Sequence, residues 1–319
     1  MRLRLRVKHW RIEMNQSGTG DIEIWRMNAF TDTPFLGNPA GVVLDGDGLT
    51  DSQKQLIAPQ LNSISETVYL CSPNDPAADI RLEFYTSTCE VDLCGHATIA
   101  AMFALAHSGR IAGASGVREV RAETRVGVLQ LTLEFVAGKL SLVTMIQPFP
   151  EFCELPGRAQ VADVLGLEQA AIRTDIPVGC ASTGIWSAYV PLAGQQALAA
   201  VHVDFSLIES LWPDNPEFAG IYPFVMLGRS GDKQSTQIQG RFFCPPKFGI
   251  AEDPITGTAS GALAAYLIHH GLMEEADQLE VRQGVEMGSE GRLIARQTGN
   301  GAIAICGQAV PIYRGRLTL

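Results

Sequence analysis

Two stretches of this chain are almost wholly apolar beyond their first turn, and they read as copies of one another. Gly95 to Gly109 aligns without a gap on Gly257 to Gly271 at a constant offset of 162, with six of fifteen positions identical. Each stretch opens at a glycine among small or hydroxylated residues and closes at a glycine, the punctuation of a helix. With no polar face, each helix is expected to be buried on all sides. The pattern predicts two similar domains, each wrapped round one central helix. Two helix N-termini facing each other across a cleft would form a paired anion site, because first-turn N–H groups lack internal partners and the dipole favours negative charge.

Around these helices, alternation of apolar and polar positions predicts strands at 22–27, 67–70, 81–85, 117–120, 128–134, 140–145, 187–191 and 222–227. Gly138-Lys139 is the expected turn between the 128–134 and 140–145 strands. Residues 51–61 read as a helix capped by Thr50/Asp51, which Pro59 is expected to kink or end early. A short helix is expected near 161–165. Residues 33–41 read as turn-rich and 230–239 as a polar loop. Pro148-Phe149-Pro150 is the linker candidate, dividing an N-terminal domain (21–147) from a C-terminal one (148–319) whose last strand returns to the first.

Composition narrows the class. A chain of 319 residues with 46% hydrophobic and 18% charged residues suits two globular domains. The net charge is −10, and Arg2, Arg4, Arg6, Lys8 and Arg11 all precede the first acid, Glu13, so the body is more acidic still. An acidic body repels phosphate backbones and argues against nucleic acid as a partner. No apolar run approaches the roughly 20 residues of a membrane span, so no membrane partner is expected. The leader, 1–20, alternates Arg and Leu with the period of a strand and resembles neither a transit nor a signal peptide; it is expected to be disordered or non-native and to carry no function. Seven cysteines, odd in number and without a C-x-x-C pair, indicate neither a disulfide framework nor a zinc motif. A reducing cytoplasm fits.

Three polar spots interrupt the apolar background. Ser65-Glu66 places a carboxylate at the start of an apolar strand. His96 occupies the first turn of the first repeat helix, where the dipole favours a neutral ring. Asp253 lies four residues before Gly257, in the copy that matches His96 with Thr258. A carboxylate base, a second polar group to take or return the proton, and two helix ends for a substrate carboxylate would form a proton-transfer site that needs no cofactor and no metal.

At these residues the chain resembles the phenazine-biosynthesis PhzF-like family, which shares its fold with diaminopimelate epimerase. The resemblance runs from Ile22 to Leu319. It is carried by Asn28 to Val42, Ser65 to Val68, Glu90 to Thr98, Arg241 to Phe243, Glu252 to Ala259 and Gln283 to Gly288. It implies an α+β fold of two pseudo-symmetric domains, each an antiparallel sheet or barrel round a central helix, and a homodimer. It also implies that Glu66 is the catalytic proton shuttle, that His96 and Asp253 support it, and that Ser65, Gly95, Gly257 and Thr258 contact substrate. Thr258 replaces a serine of the phenazine enzymes. The epimerase cousins place two cysteines before the helix-opening glycines; here those positions hold Cys94 and Thr256, and a hydroxyl is far less acidic than a thiol. Cys94 is therefore expected to be a small buried filler, although a helix N-terminus could lower its pKa.

The expected activity is a cofactor-independent isomerisation that moves a proton and a double bond on a small carboxylate. An amino-acid or hydroxy-acid epimerase using Glu66 and Asp253 as its two bases is the enzymatic alternative, and a non-catalytic small-molecule binding protein the other.

Overall fold

The computed structural model describes residues 21–62, 65–155, 157–211, 218–230, 235–246 and 250–318, so the leader lies outside the described residues. The fold is α+β, a mixed sheet with few helices. Both repeat helices form as the pattern predicts, Gly95–His107 and Gly257–His269, each of 13 residues. The first is packed against the strands Asp21–Ala29, Asn38–Val43, Thr67–Cys71, Lys139–Ile146 and Ala309–Thr318. The second is packed against Gly179–Ser182, Trp186–Pro191, Gln278–Gln283, Gly291–Gln297 and Ile303–Gly307. Ile99, Leu105, Leu263 and Leu267 are wholly buried, each worth about 1.5–3 kcal/mol of transfer free energy.

The repeat extends upstream of the helices. Val91 pairs with Phe84 and Glu90 with Tyr85 just before the first helix. Asp253 and Glu252, at the same offset from Val91 and Glu90, pair in the same way with Phe242 and Phe243 just before the second. Two connections tie the halves together: the last strand, Ala309–Thr318, lies antiparallel to the first, Asp21–Ala29, and Lys139–Ile146 pairs with Ile303–Gly307. The helix starts converge on one side chain. A Cβ at Gly95 would lie 3.8 Å from Ile305 Cδ1, and one at Gly257 would lie 2.9 Å from the same atom, so Gly257 lets its helix come close.

Three local expectations differ from the structure. The helix Asp51–Leu61 runs through Pro59 instead of ending there. Pro59 falls in its last turn, and the Asn62 N–H donates to Ala58 O and closes that turn regardless. Thr50 and Gln53 supply the cap reciprocally: the Gln53 N–H donates to Thr50 Oγ1 at 3.3 Å, and the Thr50 N–H to Gln53 Oε1 at 2.9 Å. Asn38–Val43, read within a turn-rich segment as far as Gly41, is a buried strand beside Asp21–Ala29. Ser235–Gly240, read within a polar loop, is a strand between Phe218–Ser230 and Gln278–Gln283. Its glutamines are bonded in place, Gln237 to Glu280 and Gln239 to Glu286. Side-chain partners in the tertiary fold made a polar segment compatible with the sheet interior.

Candidate active site

Glu66 and Asp253 lie at the ends of short strands, and His96 lies in the first turn of the first repeat helix. Glu66 immediately precedes the strand Thr67–Cys71 and is held by its backbone: its carbonyl accepts from the Gly41 N–H and from Asn62 Nδ2. Its carboxylate Oε2 accepts a hydrogen bond from Ser65 Oγ at 2.7 Å. The same hydroxyl lies 2.9 Å from His96 Nε2, and the imidazole lies 3.4 Å from the carboxylate itself. Ser65, Glu66 and His96 thus form one hydrogen-bonded group. Cys94, the N-cap of the first helix, joins it, with Sγ 3.3 Å from His96 Nδ1.

On the other side stands Asp253. Its Oδ2 accepts from Thr256 Oγ1 at 2.5 Å, and its Oδ1 accepts from Asn38 Nδ2 at 2.8 Å. Thr256 is the N-cap of the second helix, but its hydroxyl is turned to Asp253 and makes no capping bond. Gln283 locks this corner by donating to the Asp253 carbonyl and to Thr256 Oγ1, while its own Oε1 accepts from Tyr222. Gly257 and Thr258 form the first turn of the second helix, as Gly95 and His96 do for the first. Gln147 holds that turn, donating to Gly257 O and accepting from Thr183, whose hydroxyl also reaches Thr258 O. Gly261 leaves room for this amide, since a Cβ there would sit 1.8 Å from Gln147 Oε1.

The two sides meet through Asn38, which is completely buried. Its Nδ2 also donates to Ile255 O at 3.0 Å, and its Oδ1 lies 3.5 Å from Ser65 Oγ. Asn38, Gln147 and Gln283 were not singled out in the sequence. Asn38 and Gln283 do lie within the segments that carry the family resemblance, but an amide in a Gly-Asn-Pro turn signal reads as a turn residue.

Electrostatics separates the roles. Burial pushes the Asp253 carboxyl up to about 7, with the negative charge of Glu66 adding to it, while the bonds from Thr256 and Asn38 oppose the rise. Burial lowers the pKa of His96 against the pull of Glu66 and the nearby Pro39 carbonyl, favouring a neutral ring. The Cys94 thiol is pushed well above its ordinary value by burial and by Glu66, so the lowering that the helix N-terminus could supply is overridden. The site therefore holds a neutral imidazole, an unionised thiol and a carboxyl that exchanges its proton near neutrality.

Two carboxyl groups between paired helix ends, in an α+β frame with an internal repeat, are the groups a proton transfer needs. Residues 27–315 match the sequence profile of the PhzC-PhzF family, phenazine biosynthesis-like protein, and the chain belongs to that family. It is 35% identical to an uncharacterized isomerase, YfhB, of Bacillus subtilis, over 86% of this chain and 89% of that one. It is 29% identical to the trans-2,3-dihydro-3-hydroxyanthranilate isomerase of Pseudomonas chlororaphis, over 92% and 98% of the two chains. A PhzF-family phenazine biosynthesis protein of Bacillus anthracis superposes with a TM-score of 0.80 at 30% identity, over 94% of this chain and 99% of that one. The chain is an enzyme of the isomerase class. No described helix is long and apolar enough to cross a membrane.

Proposed function

We propose that the enzyme moves a proton, and with it a double bond, along a small unsaturated carboxylate, with Glu66 as the group that takes the proton and returns it. The observation that carries this reading is the single Ser65 hydroxyl bonded to both the Glu66 carboxylate and His96. That contact aims one carboxylate oxygen and leaves the other for the substrate. Glu66 removes an acidic proton next to an electron-withdrawing group, the double bond shifts, and the same carboxylate delivers the proton to the far carbon. Asp253, protonated for part of the time near neutrality, donates a hydrogen bond to the charge that develops on the substrate. The substrate carboxylate rests between the helix starts at Gly95-His96 and Gly257-Thr258. The name of the Pseudomonas chlororaphis relative, an isomerase of a ring-bearing carboxylate, supports the substrate class.

One observation favours a second reading. Glu66 raises the pKa of Asp253, so the two carboxyl groups sense one another, as two bases on opposite faces of a single carbon would. That is an epimerase. Incubation with a panel of small unsaturated and amino carboxylates in deuterated water, followed by NMR, tests both. Deuterium at a carbon other than the one deprotonated supports the isomerase; exchange with inversion at a single carbon supports the epimerase; no exchange with any panel member counts against both. A co-crystallised substrate whose carboxylate lies away from both helix starts overturns the binding mode.

A further inference from the structure

Two thiols face each other at the edge of the sheet in the second half of the chain. Cys153 lies on the strand Glu151–Glu154 and Cys180 on Gly179–Ser182, and the two are directly opposed in the antiparallel register. Their side chains share a face of the sheet. The next pair along, Phe152 and Ala181, is turned the other way, where Phe152 stacks on His269 of the second helix at 4.2 Å. Opposed residues of an antiparallel pair have Cα atoms about 4.5 or about 5.5 Å apart, and both spacings fall within the roughly 4.4–6.8 Å that a disulfide spans. Their Cβ atoms, about 4.5–5.5 Å apart, have to close by about 1 Å. The strand Glu151–Glu154 can supply that movement, being exposed along its whole length and, among the described residues, paired on one side only. Cys153 is open to solvent and Cys180 is buried. Burial, and after it the neighbouring Cys153, push the Cys180 thiol up from its ordinary value.

We propose that Cys153 and Cys180 are a reversible redox pair, which a low-molecular-weight disulfide closes into one intrachain bond. Cys153 attacks as thiolate; the S–S bond of the reagent breaks, and one thiol leaves with the proton that Cys153 gave up. Cys180 then displaces the second thiol from the mixed disulfide. Two protein thiols are oxidised to one disulfide and the reagent is reduced to two thiols. A bond between opposed strands on an exposed edge is of the labile kind that cycles. It also braces the active site from behind. A short link joins Gln147 to Glu151–Glu154, and Gly179–Ser182 runs directly into Thr183. Thr183 donates to Gln147 at 2.9 Å, and together they hold the start of the second helix at Gly257 and Thr258. The bond therefore restrains both residues that hold that helix start. Its bearing on substrate rests on the carboxylate site proposed above; its formation does not.

Bond formation is read directly on the full chain. The reduced protein is equilibrated with graded mixtures of reduced and oxidised glutathione, alkylated under denaturing conditions and mapped by mass spectrometry. One intrachain bond is expected, joining the Cys153 and Cys180 peptides, with the intact mass lower by two hydrogens and full reversal by dithiothreitol. Cys153→Ser changes an exposed position, so the fold is kept and the bond is lost; Cys180→Ala should lose it too. Glutathione that stays on Cys153 without closure, pairing of either thiol with another cysteine, no bond at any ratio, or a bond that excess dithiothreitol leaves intact overturns the proposal. Amide hydrogen exchange, which needs no substrate, reads the coupling. Oxidation should make exchange several-fold slower across Gln147–Glu154 and Gly179–Gly184, and should change neither segment in Cys153→Ser. A bond that forms while exchange in both segments is unchanged overturns the bracing role.

Discussion

Asn38 donates its side-chain amide to the Asp253 carboxylate at 2.8 Å, across 215 positions of the chain. The Oδ1 of the same buried side chain lies 3.5 Å from Ser65 Oγ, so one amide reaches both halves of the site. A carboxylate that accepts a hydrogen bond is stabilised in its charged form. Asn38→Ala removes this donor and leaves the Ile255 carbonyl without its partner. The variant should lose about 1–3 kcal/mol of stability in urea unfolding. The pH–rate limb belonging to Asp253 should move to higher pH, a displacement that a merely structural defect would not produce.

Glu66→Gln retains shape and the Ser65 contact but removes basicity. Turnover should fall by at least about 10²–10⁴-fold, the usual contribution of a positioned acid or base, with ligand affinity largely retained. Kinetics alongside calorimetric binding checks this, and a Gln variant that turns over like wild type would refute the role.

The titration of Asp253 gives stability a definite pH dependence. Its folded pKa, about 7, stands above the ordinary carboxyl value of 3.8, so the folded state holds the proton more tightly. The stability this confers is present in full below the ordinary value and is lost as pH rises toward about 7, a span of a few kcal/mol. Asp253→Asn does not titrate. Its stability relative to wild type should therefore climb between about pH 4 and pH 7 and then level off, as read from urea unfolding at several pH values. Asp253→Ala should lose most of the activity.

Cys94 occupies the position of an epimerase thiol, yet its partner position is Thr256, which is bonded to Asp253. Burial and Glu66 also keep the thiol protonated. Cys94→Ala should retain most of the activity, and iodoacetamide should react slowly. A dead alanine variant, together with inactivation by iodoacetamide that substrate prevents, would install the two-base thiol reading instead.

Assembly is a separate expectation. Light scattering at micromolar concentration should give twice the chain mass of 34.4 kDa. A monomer mass would end the homodimer proposal.

Much of this protein is legible in one dimension. The two repeat helices follow from apolar runs punctuated by glycine, because a helix without a polar face can only be a core helix. Ser65, Glu66, His96 and Asp253 stand out because polar groups in an apolar setting cost free energy unless they are used. Sequence could not show the strand character of Asn38–Val43 and Ser235–Gly240, since Asn38, Gln237 and Gln239 find their partners in distant segments. Nor could it show that Asn38 joins the two carboxylate corners, that Gln283 and Gln147 brace the second helix start, or that Cys94 comes within reach of Glu66 and His96. Local pattern determines which face of an element seeks the core. Which side chains meet there, and whose proton is held near neutrality, is decided by desolvation and distance, and those exist only once the chain has closed on itself.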